Sequence, residues 1–349
     1  MESILSKFSL TNGFDLFPGL NLNLRGDDLV LGPGGDDTIC VATGAEFSGH
    51  DTVYGGAGAD QTYASNGDVV FLGAGSDTSA TVSGLGLDVG AAGVYGGAGT
   101  DLEAVFVTGR AQGQVPQHVV LTATDDGWVM TANGVTVMVA HGVERIDLEL
   151  SGVDPASLTN LVAEGGALDD TFGLPTCDAT VHAGDGSDTV ILDDPVGNYL
   201  LDGGAGADFL SIQALSLADA SLFMDVRDGT SVITLGTVAT FDVTNFESYS
   251  ILGTDNGDVV WLNSGDDSYM PSAFLPSGND FGDGGGGNDT IDGQTGDDTL
   301  AGGDGQDVLS GGTGLNFLTG GNGADTMAGS DGDVFVCLAT RESGVAAGS

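Results

Sequence analysis

Apolar side chains recur at a fixed nine-residue spacing near the C-terminus. Residues 284–328 divide without gaps into five nonapeptides, GGGGNDTID, GQTGDDTLA, GGDGQDVLS, GGTGLNFLT and GGNGADTMA. The eighth position of each nonapeptide is apolar, at Ile291, Leu300, Leu309, Leu318 and Met327. Self-similarity at a fixed period predicts a repeat architecture, and strand alternation predicts that position eight faces inward.

The polar positions of the nonapeptide are equally regular. Position four is always glycine, and position six is aspartate or, once, asparagine. Because glycine permits positive φ and close backbone approach, positions one to six predict a turn and positions seven to nine a short strand. Two nonapeptides make one coil, and successive coils stack about 4.8 Å apart as parallel strands. The predicted fold class is all-β, a parallel β-roll or β-helix solenoid.

Stacked coils bring acidic residues together. Asp289 is expected to lie over Asp307 and Asp307 over Asp325, while Asp298 meets Asp280 on one side and Asn316 on the other. Stacked carboxylates repel unless a cation lies between them, and Ca²⁺ takes six to eight oxygen ligands at about 2.3–2.6 Å. Two aspartates and the carbonyls of two glycine turns supply such a set, which suits Zn²⁺ and Mg²⁺ less well.

The pattern G-G-x-G-x-D-x-U-x, with U apolar, resembles the RTX (repeats-in-toxin, hemolysin-type) calcium-binding nonapeptide family. Degenerate copies occur at 32–40, 55–63, 72–80, 96–104, 183–191 and 203–211. The resemblance implies multiple Ca²⁺ ions between adjacent turns. The candidate side-chain ligands are Asp37, Asp60, Asp77, Asp101, Asp188, Asp208, Asp258, Asp267, Asp280, Asp289, Asp298, Asp307 and Asp325. The candidate carbonyl ligands lie near Gly285, Gly287, Gly296, Gly303, Gly305, Gly312 and Gly323.

The repeats fall into blocks separated by two stretches of alternating apolar and β-branched residues. Both stretches predict strands, and the turns TDDGW and RDGTS predict hairpins. They also resemble each other, which favours a duplicated module, and a short helical pattern is confined to Asp154–Ala163. The predicted organisation is a cap (1–22), repeat block one (23–104), insert one (105–163), block two (164–211), insert two (212–253), block three (254–336) and a tail (337–349).

The charge balance limits the classes of molecule that the protein is expected to bind. The chain of 349 residues has a net charge of −45, with 43 Asp and 8 Glu against 6 basic residues. There is no basic surface to meet nucleic acid, and no apolar run approaches the roughly 18–20 residues that span a bilayer. The three cysteines, Cys40, Cys177 and Cys337, are expected to be free thiols. For Asp28, Asp51, Asp88 and Asp170, a calcium role and a solvated surface remain equally open.

Two functional hypotheses remain. The first is a secreted calcium-binding solenoid with a structural or adhesive role, as surface layer, matrix or adhesin, that folds and assembles on calcium and has no enzymatic activity. The second is a secreted hydrolase, lyase or toxin whose chemistry lies in the inserts. Proteins resembling this one commonly leave the cell through a one-step route that reads an uncleaved C-terminal signal, for which residues 332–349 are the candidate. Trp128 and Trp261 are expected to pack on or beside strands, with a sugar platform as the alternative.

Overall fold

The nonapeptide blocks and both inserts fold as β-structure. The computed structural model describes residues 7–9, 16–17, 29–32, 34–40, 50–65, 67–84, 92–108, 117–124, 127–141, 145–149, 158–214, 220–227, 231–265, 267–270, 278–336 and 345–347. Within these ranges every regular element of secondary structure is a strand, apart from a single 3₁₀ residue at Arg227. The fold class predicted from the repeat, a parallel β-solenoid, is confirmed.

The chain divides into two compact units. Unit one comprises Met1–Pro175 and Ala183–Asp185, and unit two comprises Thr176–His182 and Gly186–Ser349. In each unit the chain alternates between two sheets of stacked strands, with apolar side chains between them.

In unit one, the first sheet contains Lys7–Ser9, Leu29–Leu31, Thr52–Ala57, Val69–Ala74, Ala92–Ala98, Gln117–Thr124, Gly127–Ala132, Val135–His141 and Leu158–Glu164. The second sheet of this unit contains Leu16–Phe17, Thr38–Cys40, Gln61–Ser65, Thr78–Gly84, Leu102–Thr108, Arg145–Glu149 and Thr171–Leu174. Successive coils pair in parallel, as Thr62 opposite Ser79 and Ser79 opposite Glu103 illustrate. These three side chains are buried at inward positions, so this part of the interior is polar.

In unit two, the first sheet contains Asp178–His182, Gly197–Asp202, Leu222–Asp225, Val232–Leu235, Ala239–Thr244, Val259–Trp261, Phe281–Gly286, Thr299–Gly305, Phe317–Gly323 and Val334–Val336. The second sheet contains Thr189–Asp193, Phe209–Gln213, Ser248–Leu252, Ser268–Met270, Thr290–Asp292, Val308–Ser310, Thr326–Gly329 and Val345–Ala347. Two short strands, Ala205–Gly206 in this unit and Asp185–Gly186 at the boundary between the units, complete the list. The position-eight side chains are almost fully buried, as predicted: Ile291, Leu300, Leu309, Leu318 and Met327.

The two inserts share one strand topology. In unit one, Gln117–Thr124 and Gly127–Ala132 form an antiparallel hairpin that continues into Val135–His141, which pairs in parallel with Ala92–Ala98. In unit two, Leu222–Asp225 and Val232–Leu235 form the same hairpin and continue into Ala239–Thr244, parallel to Gly197–Asp202. The identical order of pairing agrees with the duplicated module inferred from sequence.

Two further expectations have clear outcomes. The helical pattern at Asp154–Ala163 was misleading: Leu158–Glu164 is a strand, paired in parallel with Gln117–Thr124, because a place in the sheet overrides a short helical pattern. Cys177 is a buried free thiol, as predicted, while the side chains of the other two cysteines lie outside the described part of the chain. Among the described residues, no helix is long and apolar enough to cross a bilayer.

Candidate metal centre

Aspartates, most of them at position six of a repeat, form a ladder along one edge of unit two. The Oδ1 of Asp307 accepts the backbone N–H of Asp289 at 3.0 Å, and the Oδ1 of Asp325 accepts that of Asp307 at 3.1 Å. Earlier on the same edge, Asp267 donates its N–H to Asp289 at 2.9 Å, and Asp188 donates to Asp208 at 2.8 Å. The stacking predicted from the eighteen-residue spacing therefore exists, and a side-chain-to-backbone bond holds each step.

The opposite edge of unit two carries a second ladder. Asp258 donates its backbone N–H to Asp280 at 2.7 Å, and Asp280 donates to Asp298 at 2.9 Å. The next step runs from the N–H of Asp298 to Oδ1 of Asn316 at 2.9 Å, and then from Asn316 to Asp333 at 2.8 Å. Asn316 thus keeps the hydrogen bond to the backbone at this rung, that is, at this step of the ladder, but it contributes no carboxylate there.

Unit one repeats the arrangement. Asp37 donates its N–H to Asp60 at 2.9 Å, Asp60 to Asp77 at 2.8 Å, and Asp77 to Asp101 at 3.1 Å. All thirteen predicted aspartates are at most 4 % exposed: Asp37, Asp60, Asp77, Asp101, Asp188, Asp208, Asp258, Asp267, Asp280, Asp289, Asp298, Asp307 and Asp325. Since buried carboxylates need compensation, these residues are not merely solvated acidic surface.

One carboxylate oxygen in these rungs remains available to a cation. Where Oδ1 serves the ladder, the Oδ2 atoms of Asp60, Asp208, Asp298, Asp307 and Asp325 are buried and accept no hydrogen bond. An unsatisfied buried oxygen is costly, and more so when it is ionised. Such an atom fits a metal ligand.

The glycines of the turn make room for this oxygen and for the neighbouring carbonyls. A Cβ on Gly302, at position one, would lie 2.2 Å from Oδ2 of Asp307. A Cβ on Gly303, at position two, would lie 2.1 Å from the carbonyl oxygen of Gly285 on the preceding coil. The seven glycines predicted to offer carbonyls all have positive φ: Gly285, Gly287, Gly296, Gly303, Gly305, Gly312 and Gly323. The turns are therefore oxygen-rich cradles that only glycine leaves open.

The RTX calcium-binding nonapeptide repeat family matches residues 48–71, 277–309 and 302–336, in four copies. This chain carries RTX calcium-binding repeats. The two C-terminal matches cover the regular nonapeptides, and the first covers a degenerate copy around Asp60. No curated protein matches the chain. The RTX match and the buried, unsatisfied oxygens agree on the ligand: the repeats bind calcium.

The predicted RTX sites take most of their ligands from backbone carbonyl oxygens. Among the described residues, no group of three or more His, Cys, Asp or Glu side chains is arranged to hold a metal ion. The predicted set uses only two aspartates per ion, with the remaining oxygens from glycine turns such as those of Gly303 and Gly305. A hard cation that accepts many neutral oxygens, as Ca²⁺ does, suits this composition.

Burial sets the protonation of the RTX aspartates in the absence of metal. Desolvation raises the pKa of Asp280 from 3.8 to about 7 and that of Asp298 to about 6, opposed by the backbone hydrogen bond that each accepts. Desolvation likewise raises the pKa of Asp60 to about 6, and it raises the pKa of Asp307. Burial without a counter-charge disfavours the carboxylate form, and a bound cation would supply that counter-charge.

The structure also places acidic residues in the ladders that the candidate set lacks. Asp51 donates its N–H to Asp68 at 2.9 Å, and Asp170 accepts the N–H of Ile146 at 2.7 Å. Glu247 replaces an aspartate in unit two, where its Oε2 accepts the N–H of Asp208 at 2.8 Å. Each lies two residues before an inward-facing apolar or aromatic side chain but lacks the full glycine pattern. The shorter signal, an acidic residue two positions before an inward-facing apolar or aromatic one, identifies these positions, whereas Asp28 and Asp88 lie outside the described residues.

Proposed function

We propose that the protein works outside the cell as a structural or adhesive solenoid that folds and assembles on binding calcium. The observation that carries this proposal is the ladder of buried aspartates, represented by Asp289, Asp307 and Asp325, whose side chains are at most 1 % exposed. A fold that buries rows of carboxylates is poorly stable until cations neutralise them. Calcium binding is then inseparable from folding.

An extracellular location would supply the calcium that folding of such repeats requires. Extracellular calcium modules bind at roughly 10⁻⁴–10⁻³ M, far above the range of cytosolic sensors and buffers. A chain with a net charge of −45 stays expanded while its charge is bare and becomes compact where calcium is abundant. Secretion in an unfolded state, guided by a signal within residues 332–349, is consistent with this behaviour.

The outward faces of unit two support an adhesive role. Phe317 and Val334 are adjacent on neighbouring strands of the first sheet, and their exposed fractions are 43 % and 50 %. Phe223 is 40 % exposed on the same sheet. Exposed apolar side chains in a row favour contact with another surface, either a second copy or a matrix partner.

We assign the protein no catalytic activity in this proposal. In the acidic pair Asp169 and Asp170 of the first unit, Asp170 is already used in a ladder, since it accepts the N–H groups of Ile146 and Gly166 at 2.7 Å each. The competing hypothesis, an enzyme or toxin with its chemistry in the inserts, predicts turnover or membrane lysis by the calcium-loaded protein.

A calcium titration of the full chain tests the proposal. Circular dichroism is expected to show coil turning into strand near millimolar calcium, with magnesium failing to substitute, and light scattering is expected to report ordered assembly in the same range. Full strand content in a chelated sample would refute calcium-driven folding. Folding without self-association, and without retention on cells or matrix, would leave the calcium site intact and refute the adhesive role.

A further inference from the structure

Unit two contains a groove that the calcium ladder does not explain. It has a volume of about 620 Å³, within the range of roughly 300–1,000 Å³ found for small-molecule sites. Its apolar lining includes Phe246, Tyr249 and Leu262, and its polar lining includes Ser231 and Glu247. Polar side chains outnumber apolar ones in the lining, and Phe246, Tyr249 and Leu262 form its buried floor.

The groove arises from the second insert. The hairpin Leu222–Asp225 and Val232–Leu235 adds two strands to the first sheet, whereas the facing strands Ser248–Leu252 and Ser268–Met270 pair directly with each other. Since adjacent strands are about 4.8 Å apart, the two extra strands make the first sheet about 10 Å longer than the second sheet along the stacking direction. The connection from Val243 to Glu247 is also three residues shorter than the corresponding repeat turn from Leu201 to Asp208. A wedge therefore opens beside this connection.

The first insert adds the equivalent hairpin to unit one, where an indole ring is buried beside the turn. Trp128 is only 2 % exposed, and its Nε1 donates to the carbonyl of Glu164 at 3.2 Å. The ring lies against Gly166, where a Cβ would be 2.9 Å from the indole. Here the chain supplies its own aromatic occupant.

Ser231 occupies the position of Trp128 in unit two. In unit one, Trp128 lies opposite Ala140 on the next strand, and Ala140 lies opposite Val94 on the strand after that. Val94 stands two residues before the repeat motif GGAGTD. In unit two, the Oγ of Ser231 is hydrogen-bonded to the backbone of Val243. Val243 lies opposite Leu201 on the adjacent strand, and Leu201 stands two residues before the matching motif GGAGAD. The two positions are therefore equivalent in the duplicated module, and the serine leaves the wedge open.

We propose that this groove binds a planar aromatic amine, whose ring takes the place of the indole found in unit one. The ring is expected to pack among Phe246, Tyr249 and Leu262, since aromatic groups favour stacked or edge contacts. The charge at the rim favours a cation: Glu247 and Asp304 are exposed there, each with one carboxylate oxygen bonded within the chain, at Oε2 to the N–H of Asp208 and at Oδ1 to Nδ2 of Asn322. The guanidinium of Arg227 is paired with Asp225 at 2.7 Å. The proposal does not depend on where the protein works.

Calorimetric titration of the full calcium-loaded chain with tryptamine tests the proposal. We expect one site per chain with a dissociation constant at or below about 1 mM. Indole-3-acetate keeps the ring but reverses the charge, and cyclohexylethylamine keeps the charge but lacks the aromatic ring. Both are expected to bind at least about tenfold more weakly, because each lacks one of the two recognised features.

Two variants separate the groove from other surfaces. Ser231→Trp is expected to fill the groove and weaken tryptamine binding at least about tenfold, whereas Ser231→Ala, which leaves the space open, keeps it. Trp128→Ser is expected to open the equivalent space in unit one and raise the stoichiometry from one to two. Calcium titration and circular dichroism verify that each variant folds.

The results that overturn the proposal are specific. No binding of tryptamine by the folded wild-type chain refutes the ligand class. Equal affinity for tryptamine and cyclohexylethylamine refutes recognition of an aromatic ring. Unchanged binding in folded Ser231→Trp refutes this location, and that variant keeps the test decisive if Trp128→Ser fails to fold.

Discussion

Asp307 offers a direct test of how calcium and the ladder share one side chain. Its Oδ1 accepts the N–H of Asp289, its own N–H reaches Asp325, and its Oδ2 is buried without a hydrogen bond. Asp307→Asn keeps an oxygen for the ladder, as Asn316 does for Asp298, but removes the charge. The substitution therefore isolates the metal contribution from the backbone contribution.

The expected loss follows from the position of Asp307 between two rungs. In the predicted arrangement of ligands, it borders one calcium site shared with Asp289 and one shared with Asp325, its neighbours in the ladder. For sites of about 10⁻⁴–10⁻³ M, about 10 mM calcium stabilises the fold by about 1.4–2.7 kcal/mol per site. If both sites are lost, the free energy of unfolding in calcium falls by about 3–5 kcal/mol.

The assay is denaturant unfolding at fixed calcium, together with the calcium midpoint of folding. Asp307→Asn is expected to raise the midpoint, and Asn316→Asp, which restores a carboxylate on the opposite edge, is expected to lower it. Asp242→Asn removes one exposed charge and serves as the matched control. An unchanged calcium midpoint in Asp307→Asn would show that its carboxylate is structural and would refute the reasoning.

Two further predictions concern protons and glycine. Because burial raises the pKa of Asp280 to about 7 and of Asp298 to about 6, the metal-free folded chain holds protons that the unfolded chain, near 3.8, releases. The free energy of unfolding of the metal-free chain therefore falls as pH rises from about 4 to 7. Calcium binding weakens as pH drops from about 7.5 to 5.5, because protons compete for the same carboxylates. Measuring the calcium concentration at the midpoint of folding at several pH values checks this prediction. Gly303→Ala, with φ at +108° and a Cβ 2.1 Å from a carbonyl oxygen, is expected to cost more than about 1 kcal/mol in denaturant unfolding. Gly134→Ala shares the positive φ, at +77°, but meets no atom within 4 Å and is expected to cost less.

Specific results would contradict these two predictions. A calcium midpoint that stays constant over the pH range would mean that protons do not compete with the metal at Asp280 and Asp298. Equal losses in Gly303→Ala and Gly134→Ala would mean that backbone conformation alone, and not the close approach of successive coils, explains the requirement for glycine.

The regular nonapeptides could be interpreted almost completely from their sequence. The nine-residue period determines which side chain faces inward, and the eighteen-residue period determines which aspartates meet, as Asp289, Asp307 and Asp325 do. These relations are local, because each coil contacts mainly its neighbours and the repeat itself sets the register. The calcium chemistry follows from the same periodicity.

Elsewhere the tertiary structure decided the outcome. Glu247 joins a ladder without the glycine signature, because strand pairing across the second insert brings it to Asp208, 39 residues earlier in the chain. The open groove beside Ser231 likewise depends on a hairpin that lengthens one sheet and not the other. Sequence periodicity determines contacts between similar neighbours, whereas an inserted hairpin alters the geometry through pairings between residues far apart in the chain, which no local pattern encodes.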